Sequence, residues 1–243
     1  MKYLGKFTIL GAVLAASTTL ASASSLTFGS YATGASNQGN ANSALVLTGV
    51  DLTGSSLGPI TTFSSPTAPF SSTTYALNPN GVWDTALTNS TWVGPTANSG
   101  PGSGPGFFNP PYGYYDYQTT FDATAGTYGA TLNVLADDTV EVLLNGVQIV
   151  PFGVLGSDST CADDPPGCLA STEDTLNFAG LTFGTSNTLD FIVVQDGIVS
   201  GAPGSDPSGV DFTLTATPEP SSLFLLGTGL LGACGVVRRR FAA

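Results

Sequence analysis

The chain has 243 residues, 17 of them Asp or Glu, five Lys or Arg and none His, for a formal net charge of −12. The five cations are Lys2, Lys6, Arg238, Arg239 and Arg240, so the long interior carries acid without base. Such a body cannot neutralise phosphates, which excludes nucleic-acid binding. Without His or an interior Lys it cannot build a His triad, a His zinc site, a Schiff base or a P-loop.

The first element is an address. Lys2 and Lys6 precede an apolar run from Phe7 to Leu20, and Ala21-Ser22-Ala23 follows in the A-x-A pattern. A charged start, an apolar run of about 14 residues and small residues at the cut predict a signal peptide over 1–23, removed by signal peptidase after Ala23. The run is too short for the roughly 20 residues that cross a bilayer.

The body, residues 24–217, holds every acid except Glu219. Its pattern is that of strands. Segments near Leu26–Tyr31, Ala44–Asp51 and Thr73–Leu77 are the first, with Trp83 and Trp92 expected in the core. A Gly/Pro/Ser/Asn stretch, Gly94–Gly113, reads as a long irregular loop. Then period two becomes clear. Tyr115, Tyr117, Thr119 and Phe121 alternate with Asp116, Gln118, Thr120 and Asp122. The runs Leu132–Ala136, Val140–Leu144, Leu189–Val194 and Val210–Thr215 alternate likewise. Asn145-Gly146 between Leu144 and Val147 predicts a hairpin with a type I′ turn. The expectation is an all-β fold, an antiparallel two-sheet sandwich of jelly-roll type.

Candidate sites in the body follow from residue chemistry. Cys161 and Cys168 bracket a short loop, and in an exported protein they are expected to form a disulfide. Asp158, Asp163, Asp164, Glu173 and Asp174 crowd seventeen residues of sequence. They read either as solvated loop acids or as oxygen ligands for Ca²⁺, the one cofactor in question. Asp137-Asp138 poses the same choice and reads as a turn that caps the next strand. Phe107, Phe108, Tyr112, Tyr114 and Tyr115 could stack on sugar rings, or cover an edge of the core. Catalysis would rest on carboxylates alone, as in a glycosidase, and no spacing here singles out a pair. The reading is therefore a protein that is not an enzyme.

The last element is Thr217-Pro218-Glu219-Pro220, an uncharged run from Ser221 to Val237, and Arg238-Arg239-Arg240. Seventeen helical residues span roughly 26 Å, enough for a thin membrane, and the arginines would stay cytoplasmic. Pro-Glu-Pro, the Gly-punctuated Leu run and the Arg cluster resemble a PEP-CTERM sorting signal over 218–243. The resemblance implies recognition by an exosortase, a transpeptidase-like membrane enzyme that cuts near Pro218-Glu219-Pro220. It also implies transient anchoring by the C-terminal helix, a place at the cell surface or outside, and a structural or adhesive role linked to exopolysaccharide and biofilm. The order Trp83, Asn89-Ser90-Thr91-Trp92-Val93, Tyr115–Phe121, the run from Ala136 through Asp137-Asp138 to Asn145-Gly146, then Val210-Asp211-Phe212, is similar to galactose-binding-like β-sandwiches over about 75–216. That likeness keeps a carbohydrate-binding module as the alternative and transfers no ligand residue.

Overall fold

The computed structural model of the chain describes residues 24–32, 37–53, 62–101, 106–155, 161–196, 206–219, 229, 231 and 232. The signal peptide, Asp158, Pro220 and Arg238–Arg240 lie outside the described residues.

The chain begins with β1 (Leu26–Gly29), β2 (Ala41–Asp51), β3 (Thr73–Leu77) and β4 (Trp92–Gly94). There follow β5 (Gly113–Asp122), β6 (Gly126–Asp137), β7 (Thr139–Leu144) and β8 (Val147–Val150). The last strands are β9 (Asp174–Phe183), β10 (Ser186–Gln195) and β11 (Gly209–Pro218). All pairings are antiparallel, in the order β8-β7-β10-β5-β2-β3-β4-β11-β6-β9, with β1 also paired to β11. The expected two separate sheets are instead one curled sheet. The short strands β3 and β4 carry hydrogen bonding from one half to the other, through Ala76 opposite Val93 and Val93 opposite Val210. The halves then face one another across a core that includes Leu47, Tyr117, Leu132, Val134, Phe191 and Phe212.

The alternation explains the strands. Tyr115 and Tyr117 are fully buried, whereas Asp116 and Gln118 lie on the outer face of β5. Asn145 and Gly146 both take positive φ, 52° and 77°, which the right-handed twist of a two-residue hairpin requires. Gly113 opens β5 at φ 142°, where a Cβ would stand 2.2 Å from the Asp51 carbonyl oxygen, so only glycine fits. In β10 both faces are covered. Ile192 and Val194 join Tyr114, Phe63 and Phe152 in a satellite cluster outside the main core. The sequence pattern does not mark β9, because a register shift near Ala130 interrupts the alternation of Leu176, Phe178, Leu181 and Phe183.

One hydroxyl is poorly placed. Tyr117 is fully buried and its Oη meets no hydrogen-bond partner. A buried hydroxyl without a partner costs about 1–3 kcal/mol. Tyr117→Phe is therefore expected to raise stability by about 1 kcal/mol, or Tm by roughly 2–4 °C in thermal unfolding. A drop in Tm would mean that the hydroxyl is satisfied in solution.

Candidate functional site

Strand direction sorts the loops into two poles. β1 runs antiparallel to β11, so Leu26 lies opposite Ala216, and the start of the mature chain stands beside the end of the last strand. Pro218 is still paired with Tyr128, and the Glu219 amide donates to the Thr127 carbonyl at 2.9 Å. The segment Pro218-Glu219 thus belongs to the end of the sheet, with no linker before it. At the opposite pole lie the end of β6, the start of β7, the end of β10, the starts of β5 and β11, and the Cys161–Cys168 loop.

That opposite pole is built around Asp137 and Asp138, which join β6 to β7. Both are 1% exposed. Alternation turns Asp137 with Leu135 away from the main core, toward Trp83, Trp92 and the two cysteines. Asp137 Oδ2 accepts from the Trp83 indole at 2.6 Å, and Trp83 stacks on Trp92 at 4.3 Å between ring centres. Asp138 Oδ2 accepts from the Asp196 amide at 2.6 Å, and the Asp138 amide donates to the Val194 carbonyl at 2.9 Å. The remaining oxygen of each carboxylate is buried and meets no donor, and the same holds for Gln195 Oε1. Gln195 is fully buried at the end of β10, and its Nε2 donates to the Asp206 carbonyl at 3.5 Å.

The electrostatics follow from burial without a cation. Burial pushes the Asp137 carboxyl well above the usual carboxylate range, and Asp138 and Asp206 push it further. Burial, opposed by the Asp196 amide and helped by the nearby Asp206 and Asp196 charges, pushes Asp138 up to about 7. Each of the two neighbouring carboxyls affects the other's proton, so the pair titrates together. Asp211 differs. It is fully buried, yet accepts from Ser30 Oγ at 2.6 Å and from the Leu87 amide at 2.8 Å. Burial raises it to about 6 against those donors. Its two oxygens are occupied in tying β11 to the segment after β1 and to the loop before β4, which is a structural task.

Cys161 and Cys168 are disulfide-bonded, with Cα atoms 5.5 Å apart. The loop they close clasps the acidic corner. Its Ala162 amide donates to the Asp138 carbonyl at 3.2 Å, and its Gly167 carbonyl accepts from the Ala136 amide at 3.0 Å. The two sulfurs lie within 4.8 Å of an Asp137 oxygen. As a disulfide they offer no thiolate to a metal.

The other expected site residues fall as follows. Asp163 and Asp164 are exposed, and Glu173 and Asp174 are half-buried at the start of β9. Among the described residues no three carboxylates gather within 4.8 Å, so Asp163, Asp164, Glu173 and Asp174 are not brought to one point. Phe107, Phe108 and Tyr112 are half-buried in the loop before β5. Phe108 packs edge-on against Phe70 at 5.7 Å. Tyr114, expected with them, is 1% exposed and packs on Phe152 in the satellite cluster, because it faces outward from β5 under the 62–64 and 152–155 segments. It presents no ring face to a ligand. Tyr115 is likewise buried, its hydroxyl donating to the Pro111 carbonyl at 2.7 Å.

At the sorting end, Gly229, Leu231 and Gly232 are helical. Among the described residues no helix is long and apolar enough to cross a membrane.

No curated protein matches the chain in sequence. Among solved structures it is similar to the CBM36-1 domain of a multidomain xylanase from the hindgut metagenome of Trinervitermes trinervoides. That likeness is 15% identity over 44% of this chain and 81% of the other, with a TM-score of 0.24. It is also similar to the Podospora anserina GH26-CBM35 beta-(1,4)-mannanase, at 13% identity over 60% of this chain and 28% of the other, with a TM-score of 0.26. At TM-scores this low neither likeness bears on what the chain does. One family model matches, the PEP-CTERM protein-sorting motif, over residues 216–240. The chain therefore carries a PEP-CTERM sorting signal at its C-terminal end, and with it the mark of an exported protein.

Proposed function

We propose that the chain is a non-catalytic envelope or matrix protein, delivered by signal peptidase and an exosortase and acting in exopolysaccharide retention outside the cell. The observation that carries this reading is the polarity of the body. The sorting motif starts inside β11, beside the start of β1. While the tail is in the membrane, that pole faces the bilayer and the pole of the disulfide loop points away. A cationless body with sixteen acids resists collapse onto anionic lipid and stays soluble by self-repulsion. The alternative, a carbohydrate-binding module, is favoured by Phe107 and Tyr112, whose partly exposed rings stand at the outward pole.

The test is the intact mass of protein recovered from the surface and medium, in cells with and without an exosortase. With the enzyme, residues 1–23 and the Arg cluster should be gone; without it, the Arg cluster should stay. Retention of Arg238–Arg240 in both backgrounds would rule out the sorting step. Cells lacking the protein should also release more exopolysaccharide into the medium, and an unchanged matrix would remove the adhesive role. If purified protein binds glycans and Tyr112→Ala abolishes that binding, the alternative replaces the main reading.

A further inference from the structure

We propose that the corner between β6 and β7 is a site for a hard divalent cation, Ca²⁺ by its donor chemistry, held by Asp137, Asp138 and Gln195. The sequence leaves Asp137-Asp138 open between a capping turn and Ca²⁺ ligands, and both side chains are 1% exposed. Each carboxylate uses one oxygen on a protein donor, Trp83 Nε1 or the Asp196 amide. Each leaves its Oδ1 buried without a donor. Gln195 adds a third buried oxygen in the same condition, and its amide nitrogen reaches the carbonyl of Asp206. Asp206, 4% exposed, adds negative potential at both Asp137 and Asp138. Asp196 adds more at Asp138.

Asp137 and Asp138, buried side by side with Asp206 and Asp196 adding to their negative potential, need compensation, because a buried charge without a counter-charge is strongly unfavourable. No Lys, Arg or His occurs among the described residues, so the compensation is a proton or a bound ion. A proton shared by Asp137 and Asp138 would leave Gln195 Oε1 unsatisfied. On this proposal one dication takes the three orphan oxygens as ligands and satisfies each of them. The donor set is all oxygen, since the chain has no His and its nearby cysteines are oxidised. That selects Ca²⁺ over softer ions. Asp137, Asp138 and Gln195 supply inner oxygens, water fills the remainder of the six to eight positions Ca²⁺ takes, and Asp206 and Asp196 act through charge at longer range. Outside the cell, where the export reading puts the protein, Ca²⁺ is available; the binding itself does not depend on that reading.

The test uses protein purified after export, at neutral pH, stripped with chelator and then titrated. Ca²⁺ at a hundred times its Kd is expected to raise Tm by roughly 5–10 °C. Tb³⁺ in its place should luminesce on indole excitation, because Trp83 is hydrogen-bonded to Asp137, and Ca²⁺ should quench that signal by competition. Asp138→Asn should abolish both effects. Gln195→Leu, which keeps the bulk and removes the oxygen, should weaken Ca²⁺ at least tenfold while folding normally in chelator. The double variant Asp163→Asn with Asp164→Asn should change nothing, since those acids are exposed. No Tm shift and no Tb³⁺ emission up to millimolar ion would overturn the proposal in favour of a shared proton. A Ca²⁺ shift that survives Asp138→Asn, or that Asp163→Asn removes, would place the ion elsewhere and overturn it equally.

Discussion

Truncating Trp92 to Ala is expected to lower unfolding free energy by about 3–5 kcal/mol, a large part of a domain's usual 5–15 kcal/mol. Trp92 is fully buried on β4, the three-residue strand through which one half of the sheet continues into the other. Its ring stacks on Trp83, and its Nε1 donates to the Asp84 carbonyl at 3.0 Å. The change removes a large apolar side chain, opens a cavity beside Leu77 and Leu135, and takes away the donor that the Asp84 carbonyl accepts from. Denaturant unfolding with an unchanged m-value reads the effect. A loss below about 1 kcal/mol would mean that the second cluster collapses around the gap.

A second large effect is expected from pH. Burial raises the carboxyls of Asp116, Asp137, Asp138, Asp174, Asp190 and Asp211. Asp116 and Asp211 rise from 3.8 to about 6, and Asp138 to about 7. Asp116 sits on the outer face of β5 with Asp190 and Thr48 as its charged and polar neighbours. A raised carboxyl binds its proton more tightly in the folded state. The stability it confers is full below about pH 4 and disappears as pH rises through 6 to 7. In chelator, the protein should therefore be more stable at pH 5 than at pH 8. The difference is a few kcal/mol in total and comes from the well-buried Asp116, Asp137, Asp138 and Asp211, since each tenfold gain in proton affinity on folding is worth about 1.4 kcal/mol, whereas water screens the more open Asp174 and Asp190. Self-repulsion among sixteen acids acts in the same direction. Urea midpoints across that range measure it, and a midpoint that climbs toward pH 8 would show these carboxyls to be better solvated than their burial implies.

Much of the fold is legible in the sequence where alternation is unbroken. Tyr115–Phe121, Leu132–Ala136, Val140–Leu144 and Val210–Thr215 fall inside β5, β6, β7 and β11, because period two is how a half-buried strand divides its faces. The weaker Thr73–Leu77 matches β3 end to end. The turn at Asn145-Gly146 and the bridge Cys161–Cys168 follow from local chemistry alone. β9 escapes because its bulge breaks the period, and β4 because three residues carry no periodicity.

The acidic corner is only half legible in the sequence, for a different reason. Asp137-Asp138 offers the choice between a turn and Ca²⁺ ligands, and nothing local says that a disulfide loop will cover it. Gln195 and Asp206 lie far along the chain, at and beyond the end of the fourth strand after this corner. The exposed run at Asp163-Asp164 is more conspicuous, yet the fold does not converge on it. Density of acids along a chain says little about density in space.

Composition and periodicity were enough to establish an all-β body without an internal cation, and resemblance of the Pro-Glu-Pro, apolar run and Arg cluster to a known signal was enough for the sorting address, because these are properties of consecutive residues. Long-range pairing alone set the first strand beside the last, ran the sorting motif straight out of the sheet, and gathered unsatisfied oxygens at the far pole. Burial is a property of the assembled chain, and it is burial that turns ordinary carboxylates into groups in need of a partner.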